Sequence, residues 1–226
     1  MKSKIIMYVF WVLCIAEIIA GAFAIEAAQY AVKPLLIPCL IFLFINEIHP
    51  LNKSKNRMLI IGLVFCWIGD VLLMFEERGS VFFILGLAAF LCGHLFYIFY
   101  LSKLSAQPGK IKQQNLLMLL PVAAYVSMLL YLLYPSLGSL KIPVTMYAVV
   151  LAGMLSMALR QLQQIDFKTA RLFVAGATSF VLSDSLLALN KFYHPFAQAG
   201  FLIMFTYCLA QYLIVSAAIK YNRLQK

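Results

Sequence analysis

Two aspartates carry the most chemical information in this chain. Asp70 and Asp184 each stand inside an apolar run, residues 62–74 and 176–188. An Asp near the middle of a membrane-spanning helix costs about 2.5–3.5 kcal/mol to insert. Such a residue faces a bundle interior or a wet cavity. A pair of carboxyl groups, one protonated and one ionised, can serve as general acid and general base. The plainer role is structural: an Asp hydrogen-bonded to a neighbouring helix simply fastens the bundle. Two at matched depth, with Glu17 at a comparable level in the first run, favour chemistry over fastening.

Other polar residues fall around these two. His94 and Tyr97 are three apart, so on a helix they share a face with Phe90 and Gly86. They are placed to orient the carboxylates or relay protons, or else to satisfy one another. Lys33, before Pro34, sits at a membrane interface, where an ammonium either snorkels or holds a phosphate. Glu17, Ser183 and Asn190 complete the set expected to contact a ligand. Ser183 has no His nearby in sequence and no nucleophile-elbow pattern, so it is a contact residue and not a nucleophile. His49, His94 and His194 lie in different segments, and the cysteines Cys14, Cys39, Cys66, Cys92 and Cys208 show no paired spacing. No metal site and no disulfide framework is expected.

The elements that must position these residues follow from composition. Of 226 residues, 64% are hydrophobic and 12% charged, whereas a soluble domain is about half apolar and a quarter charged. The chain divides into continuous apolar runs, which excludes the alternating pattern of a barrel. In lipid every backbone polar group must be satisfied internally, so the runs are helices. They fall at about 5–25, 31–46, 58–75, 80–101, 115–134, 142–159, 170–190 and 196–219. The expected fold is all-α, a polytopic bundle of about eight transmembrane helices forming one integral membrane domain over residues 1–226. The start, Met1-Lys2-Ser3-Lys4 with an apolar run and then Ala22-Phe23-Ala24, imitates a cleavable signal. The length of its run and Glu17 within it keep it as helix one.

Charge sets the topology. Fourteen of the 18 basic residues fall on one side: Lys2, Lys4, Lys53, Lys55, Arg57, Lys103, Lys110, Lys112, Arg160, Lys168, Arg171, Lys220, Arg223 and Lys226. Lys33, Arg78, Lys141 and Lys191 fall on the other. This asymmetry places both termini in the cytoplasm, and in a bacterium the membrane would be the inner one. The net charge of +10 is a topology signal and not a nucleic-acid footprint.

Gly62 and Gly176 each precede an Asp by eight residues, and each Asp is followed after one residue by Leu-Leu. The offset of 114 residues spans four helices. This describes two parallel four-helix halves, 1–112 and 113–226, with Asp70 and Asp184 at equal depth.

Four fragments then stand in order along the chain: Lys33-Pro34-Leu35; Gly69-Asp70-Val71-Leu72-Leu73-Met74; Phe83-x-x-Gly86-Leu87-x-x-Phe90-x-x-Gly93-His94-x-x-Tyr97; and Gly176-Ala177-x-x-Phe180-x-x-Ser183-Asp184-x-x-Leu187-Ala188. With the eight-helix plan, this set resembles the YhhN-like membrane proteins, which include the animal lysoplasmalogenases of the transmembrane protein 86 type. The resemblance implies a hydrolase for the vinyl ether bond of lysoplasmalogens, releasing a fatty aldehyde and glycerophospho-ethanolamine or -choline. Its substrate would be a lysophospholipid taken from the bilayer. Asp70 and Asp184 would be the acid and the base, with His94 and Tyr97 supporting them and Lys33 at the phosphate. No metal or organic cofactor is required. The alternatives are a hydrolase of another lysolipid and a small proton- or cation-coupled transporter, in which the same carboxylates would carry the ion.

Overall fold

The computed structural model describes residues 2–23, 25–48, 54–104 and 113–225. His49, Lys53, Lys110, Lys112, Lys226 and the Ala24 end of the signal-like segment lie outside them. Among the described residues there are eight helices long and apolar enough to cross a membrane, and no strand. They are α1 (Lys2–Ala22), α2 (Glu26–Glu47), α3 (Ser54–Leu73), α4 (Ser80–Ser102), α5 (Gln113–Leu133), α6 (Lys141–Gln161), α7 (Phe167–Ala188) and α8 (Ala199–Leu224). The protein is an integral multi-pass membrane protein.

Several boundaries differ from those expected. α2 begins five residues early, at Glu26 rather than 31, so Lys33 and Pro34 lie well inside a helix. Pro38 has no N–H, which leaves the carbonyl of Pro34 without its helical donor. The indole Nε1–H of Trp67 on α3 supplies it at 2.8 Å, tying the two helices at the gap. α7 begins at Phe167 because Asp166 caps it, accepting from the Thr169 backbone N–H and hydroxyl, each at 3.0 Å. These hydrogen bonds hold the Asp166 carboxyl below the usual aspartate range. α7 continues beyond Ala188 as a π-helical turn, Leu189–Tyr193. α5 and α6 are joined by two 3-10 turns, with Gly138 in the left-handed region at φ 51°.

With no hydrophobic driving force between helices in lipid, close packing through small residues holds the bundle. α3 and α4 interlock this way. A methyl group at Gly69 would lie 2.6 Å from the Phe90 ring, one at Gly62 2.8 Å from Tyr97, and one at Gly93 2.8 Å from Cys66. α7 meets α8 similarly, with Gly176 against Ala210 and Ile214. α5 is the peripheral helix, with Met128 and Tyr131 exposed, and is tied to α7 by the Tyr125 hydroxyl donating to Ser185 at 2.8 Å.

The helix ends form two faces. On the face of the termini, Arg223 pairs with Glu47, Lys220 lies 3.9 Å from Asp166, and Tyr221 donates to the Leu104 carbonyl at 2.7 Å. On the opposite face, Tyr30 donates to the Met74 carbonyl at 3.1 Å and Lys191 pairs with Glu76 at 3.1 Å. The candidate site opens toward this second face.

Candidate functional site

Asp70 near the end of α3 and Asp184 near the end of α7 line one cavity. It encloses about 920 Å³ of empty space, its mouth included. Asp70 is 3% exposed and the Asp184 side chain 12%. The walls between them are apolar and aromatic, from Phe83, Phe90, Phe192, Leu87 and Met204. Lys33 and Glu76 stand on the same lining. An apolar chamber with one ammonium and three carboxyl groups, of which Glu76 is already paired with Lys191, is suited to an amphiphile carrying a phosphate.

Each carboxylate is held by a tyrosine from another helix. Tyr207 on α8 donates to Asp70 Oδ2 at 2.5 Å, and Tyr147 on α6 donates to Asp184 Oδ2 at 2.5 Å. The Asp70 arm continues inward. Tyr97 donates to Gln211 Oε1 at 2.7 Å, and Gln211 Nε2 donates to the Tyr207 oxygen at 3.3 Å. Cys66 begins the series with its thiol 3.7 Å from the Tyr97 oxygen. Every hydrogen in this chain therefore points toward Asp70, which ends it as the acceptor. Such an aligned series strengthens each of its bonds.

The other sequence-predicted residues divide between the cavity and its surroundings. His94 is fully buried behind Asp184, its Nε2 3.9 Å from Asp184 Oδ2. That is beyond hydrogen-bond reach, and neither ring nitrogen has a partner among the described residues. Its ring stands edge-on to Phe180 at 4.6 Å and Tyr147 at 5.4 Å between centroids. Tyr97 makes no hydrogen bond to either aspartate and is linked to Asp70 through Gln211 and Tyr207. Ser183 lines the cavity and donates to the Ile203 carbonyl at 3.0 Å, joining α7 to α8. Asn190 stands away from the lining, accepting from the Phe196 N–H at 3.2 Å and shaping the turn into α8. Glu17 is 1% exposed and lines a second, polar cavity beside the first, where Lys33 also appears.

Sequence reasoning missed Tyr147, Tyr207 and Gln211. The signal for the last two was modest: Tyr207 and Gln211 are four apart, so they share a helical face directed inward with buried Cys208 and Ile214 nearby. Tyr147 offered none, because a Tyr in an apolar run reads as packing.

Comparison with known proteins places the chain in a family. The model of the YhhN family matches residues 28–218. Human "Lysoplasmalogenase TMEM86A" is 34% identical over 176 residues, which cover 76% of this chain and 68% of that protein. Human "Lysoplasmalogenase TMEM86B" is 33% identical over 159 residues, covering 70% and 62% respectively. A "Lysoplasmalogenase" of Mycobacterium tuberculosis is 32% identical over 180 residues, covering 74% and 62%. No solved structure matches the chain. On the span of the family match and the identity to these relatives, the chain belongs to the YhhN family.

Proposed function

We propose that this protein is a lysoplasmalogenase-type hydrolase, which cleaves the vinyl ether bond of a lysophospholipid to a fatty aldehyde and a glycerophospho head group. The observation that carries this reading is the convergence of Asp70 and Asp184 on one apolar cavity, each held by a tyrosine hydroxyl. The names of the relatives point the same way.

Vinyl ether hydrolysis begins with proton transfer to the alkenyl carbon remote from oxygen, leaving an oxocarbenium-like cation. Asp184 is assigned as the acid. It has one hydroxyl donor, Tyr147, and a second carboxylate on the same cavity, so a proton on it relieves like-charge repulsion. Asp70 is assigned as the carboxylate. The Tyr97–Gln211–Tyr207 series and the Lys33 ammonium on the same lining are arranged to support an anion there. It faces the cation and takes a proton from the water that adds to it, as the second carboxylate does in glycosidases. The hemiacetal hydroxyl then returns its proton to Asp184. The glyceryl C–O bond breaks, and the leaving oxygen takes the proton held on Asp70. Both carboxyl groups end as they began. His94 fixes the ring environment of Asp184 and Tyr147 and is a positioning residue. Lys33 meets the phosphate, with Ser183 and Glu17 nearer the ligand than Asn190, which shapes the turn into α8.

The two halves, 1–112 and 113–226, are read as one catalytic domain, with each half contributing one aspartate. The basic asymmetry supports termini in the cytoplasm and a site opening to the other side. Purified protein in detergent, given lysoplasmenyl-ethanolamine, is expected to release aldehyde and glycerophosphoethanolamine in equal amounts. No release by a folded preparation overturns the reading.

A further inference from the structure

The second cavity has a composition that the cleavage chemistry does not use. It encloses about 620 Å³, mouth included, and joins the first through Lys33 and Glu76, which line both. Four acidic residues line it, Glu17, Glu26, Glu76 and Glu77, against a single basic lining residue, Lys33. Glu76 is occupied by Lys191. Glu17 is different in kind from the exposed members of this group. It is 1% exposed, and neither carboxylate oxygen has a hydrogen-bond partner among the described residues. A buried carboxylate without a partner is costly, and a cationic ligand group in the cavity would relieve it. Lys33 likewise makes no ion pair within 4.0 Å among the described residues, although it lies between Asp70 and Glu17 in the sense of lining both their cavities.

We infer that this vestibule is a head-group subsite selective for a primary ammonium–phosphate zwitterion, with Lys33 on the phosphate and Glu17 on the ammonium. The inference rests on the hydrolase reading for the placement of the lipid and adds the head group to it. The order of parts along such a lipid is vinyl ether, glycerol, phosphate, amine. The order along the two cavities is aspartate pair, Lys33, acidic vestibule. A head group whose only charge is the phosphate meets three carboxylates not engaged by Lys191, and is repelled. A quaternary ammonium carries no N–H to give to them. It is held best by a cage of aromatic rings, and only Tyr30 among the lining residues is aromatic. A primary ammonium has three donors for the carboxylates. Ethanolamine is therefore selected over choline, and both over an anionic head group.

The test is equilibrium binding of 1-acyl lysophosphatidylethanolamine, -choline and -glycerol to the full chain in detergent, beside turnover of the matching vinyl ether lipids. The acyl lipids have no vinyl ether bond, so binding is read independently of cleavage. Wild type is expected to bind the ethanolamine lipid about tenfold tighter than the glycerol lipid, the scale of one charge-assisted hydrogen bond. Glu17→Gln should remove that preference by weakening the ethanolamine lipid alone. The doubly substituted Glu26→Gln, Glu77→Gln protein, altered only at exposed positions, should reduce it and serves if Glu17→Gln does not fold. Equal wild-type affinity for the two lipids overturns the subsite, as does an equal loss for all head groups in the variants. Selective binding without aldehyde release would keep the subsite and reject the hydrolase. Aldehyde release without head-group preference would do the reverse.

Discussion

Replacing Tyr207 by Phe removes one oxygen and leaves the ring, so the perturbation is confined to hydrogen bonding. In the native protein that oxygen donates to Asp70 Oδ2 at 2.5 Å and accepts from Gln211 Nε2 at 3.3 Å. The ring packs edge-on against Phe90 and Phe180, with centroids 6.0 and 5.5 Å away, and these contacts survive. A hydrogen bond to a charged group is worth about 1.5–3 kcal/mol. If Asp70 is the carboxylate that faces the cation and accepts the proton of water, the lost donor changes the anion that the reaction uses. At about 1.4 kcal/mol per tenfold change, kcat falls by about ten- to 150-fold. KM for the lipid should change little, because Tyr207 meets the carboxylate and not the head group. The assay is aldehyde release at saturating lysoplasmenyl-ethanolamine, with a thermal melt in detergent to show that the variant folds. The Gln211 amide left without its acceptor costs the variant some stability, about 1–3 kcal/mol. A folded Tyr207→Phe protein with kcat within twofold of wild type would refute the role given to the Asp70 arm.

Three further substitutions test the scaffold. Gly69→Ala puts a methyl 2.6 Å from the Phe90 ring beside Asp70; overpacking of this kind costs about 1–3 kcal/mol and should lower both Tm and activity, whereas an unchanged melt would deny the close α3–α4 contact. Trp67→Phe leaves the part-buried Pro34 carbonyl without its donor, so the protein should lose about 1 kcal/mol of stability, the net worth of one hydrogen bond, and melt lower; no fall would mean that the carbonyl finds another partner. Asp166→Ala removes the α7 cap, and its effect should depend on pH. Because the folded carboxyl lies below the usual aspartate value, its contribution is fully present above about pH 4 and is lost as pH falls through the lower, folded value. The Tm difference between wild type and Asp166→Ala should therefore shrink on acidification below pH 4, and a difference that grows there would contradict the capping assignment.

The eight spans were legible because a continuous apolar run in lipid has only one economical conformation. The ends were less so. The Lys33-Pro34 pair looked like a helix start, yet α2 begins at Glu26 and runs through it, and further on Trp67 replaces the backbone donor that Pro38 lacks. The polar flanks of α3 and α7 are helical too, with Asn56 and Thr169 fully buried, which a count of apolar residues cannot register. In the candidate site, Asp70 and Asp184 stood out through the cost of burying a carboxylate. Their sharing one cavity depends on how α3 and α7 pack across the bundle, and no local pattern records that. Tyr147 and Tyr207 were hidden among 12 tyrosines, because whether a Tyr is packing or a donor is decided by what faces it. His94 was visible as an unusual residue, but its place behind Asp184, and not on the cavity lining, came only from the packing of α4 against α6 and α7.

The most direct test of the central claim is aldehyde release from lysoplasmenyl-ethanolamine by purified wild type beside Asp70→Asn and Asp184→Asn. Each Asn keeps the shape of Asp while removing the acid or the base, an effect on the order of 10²–10⁴ in rate. The account predicts aldehyde from wild type and at least about a hundredfold loss in both folded variants. Wild-type turnover by either folded Asn variant would contradict it.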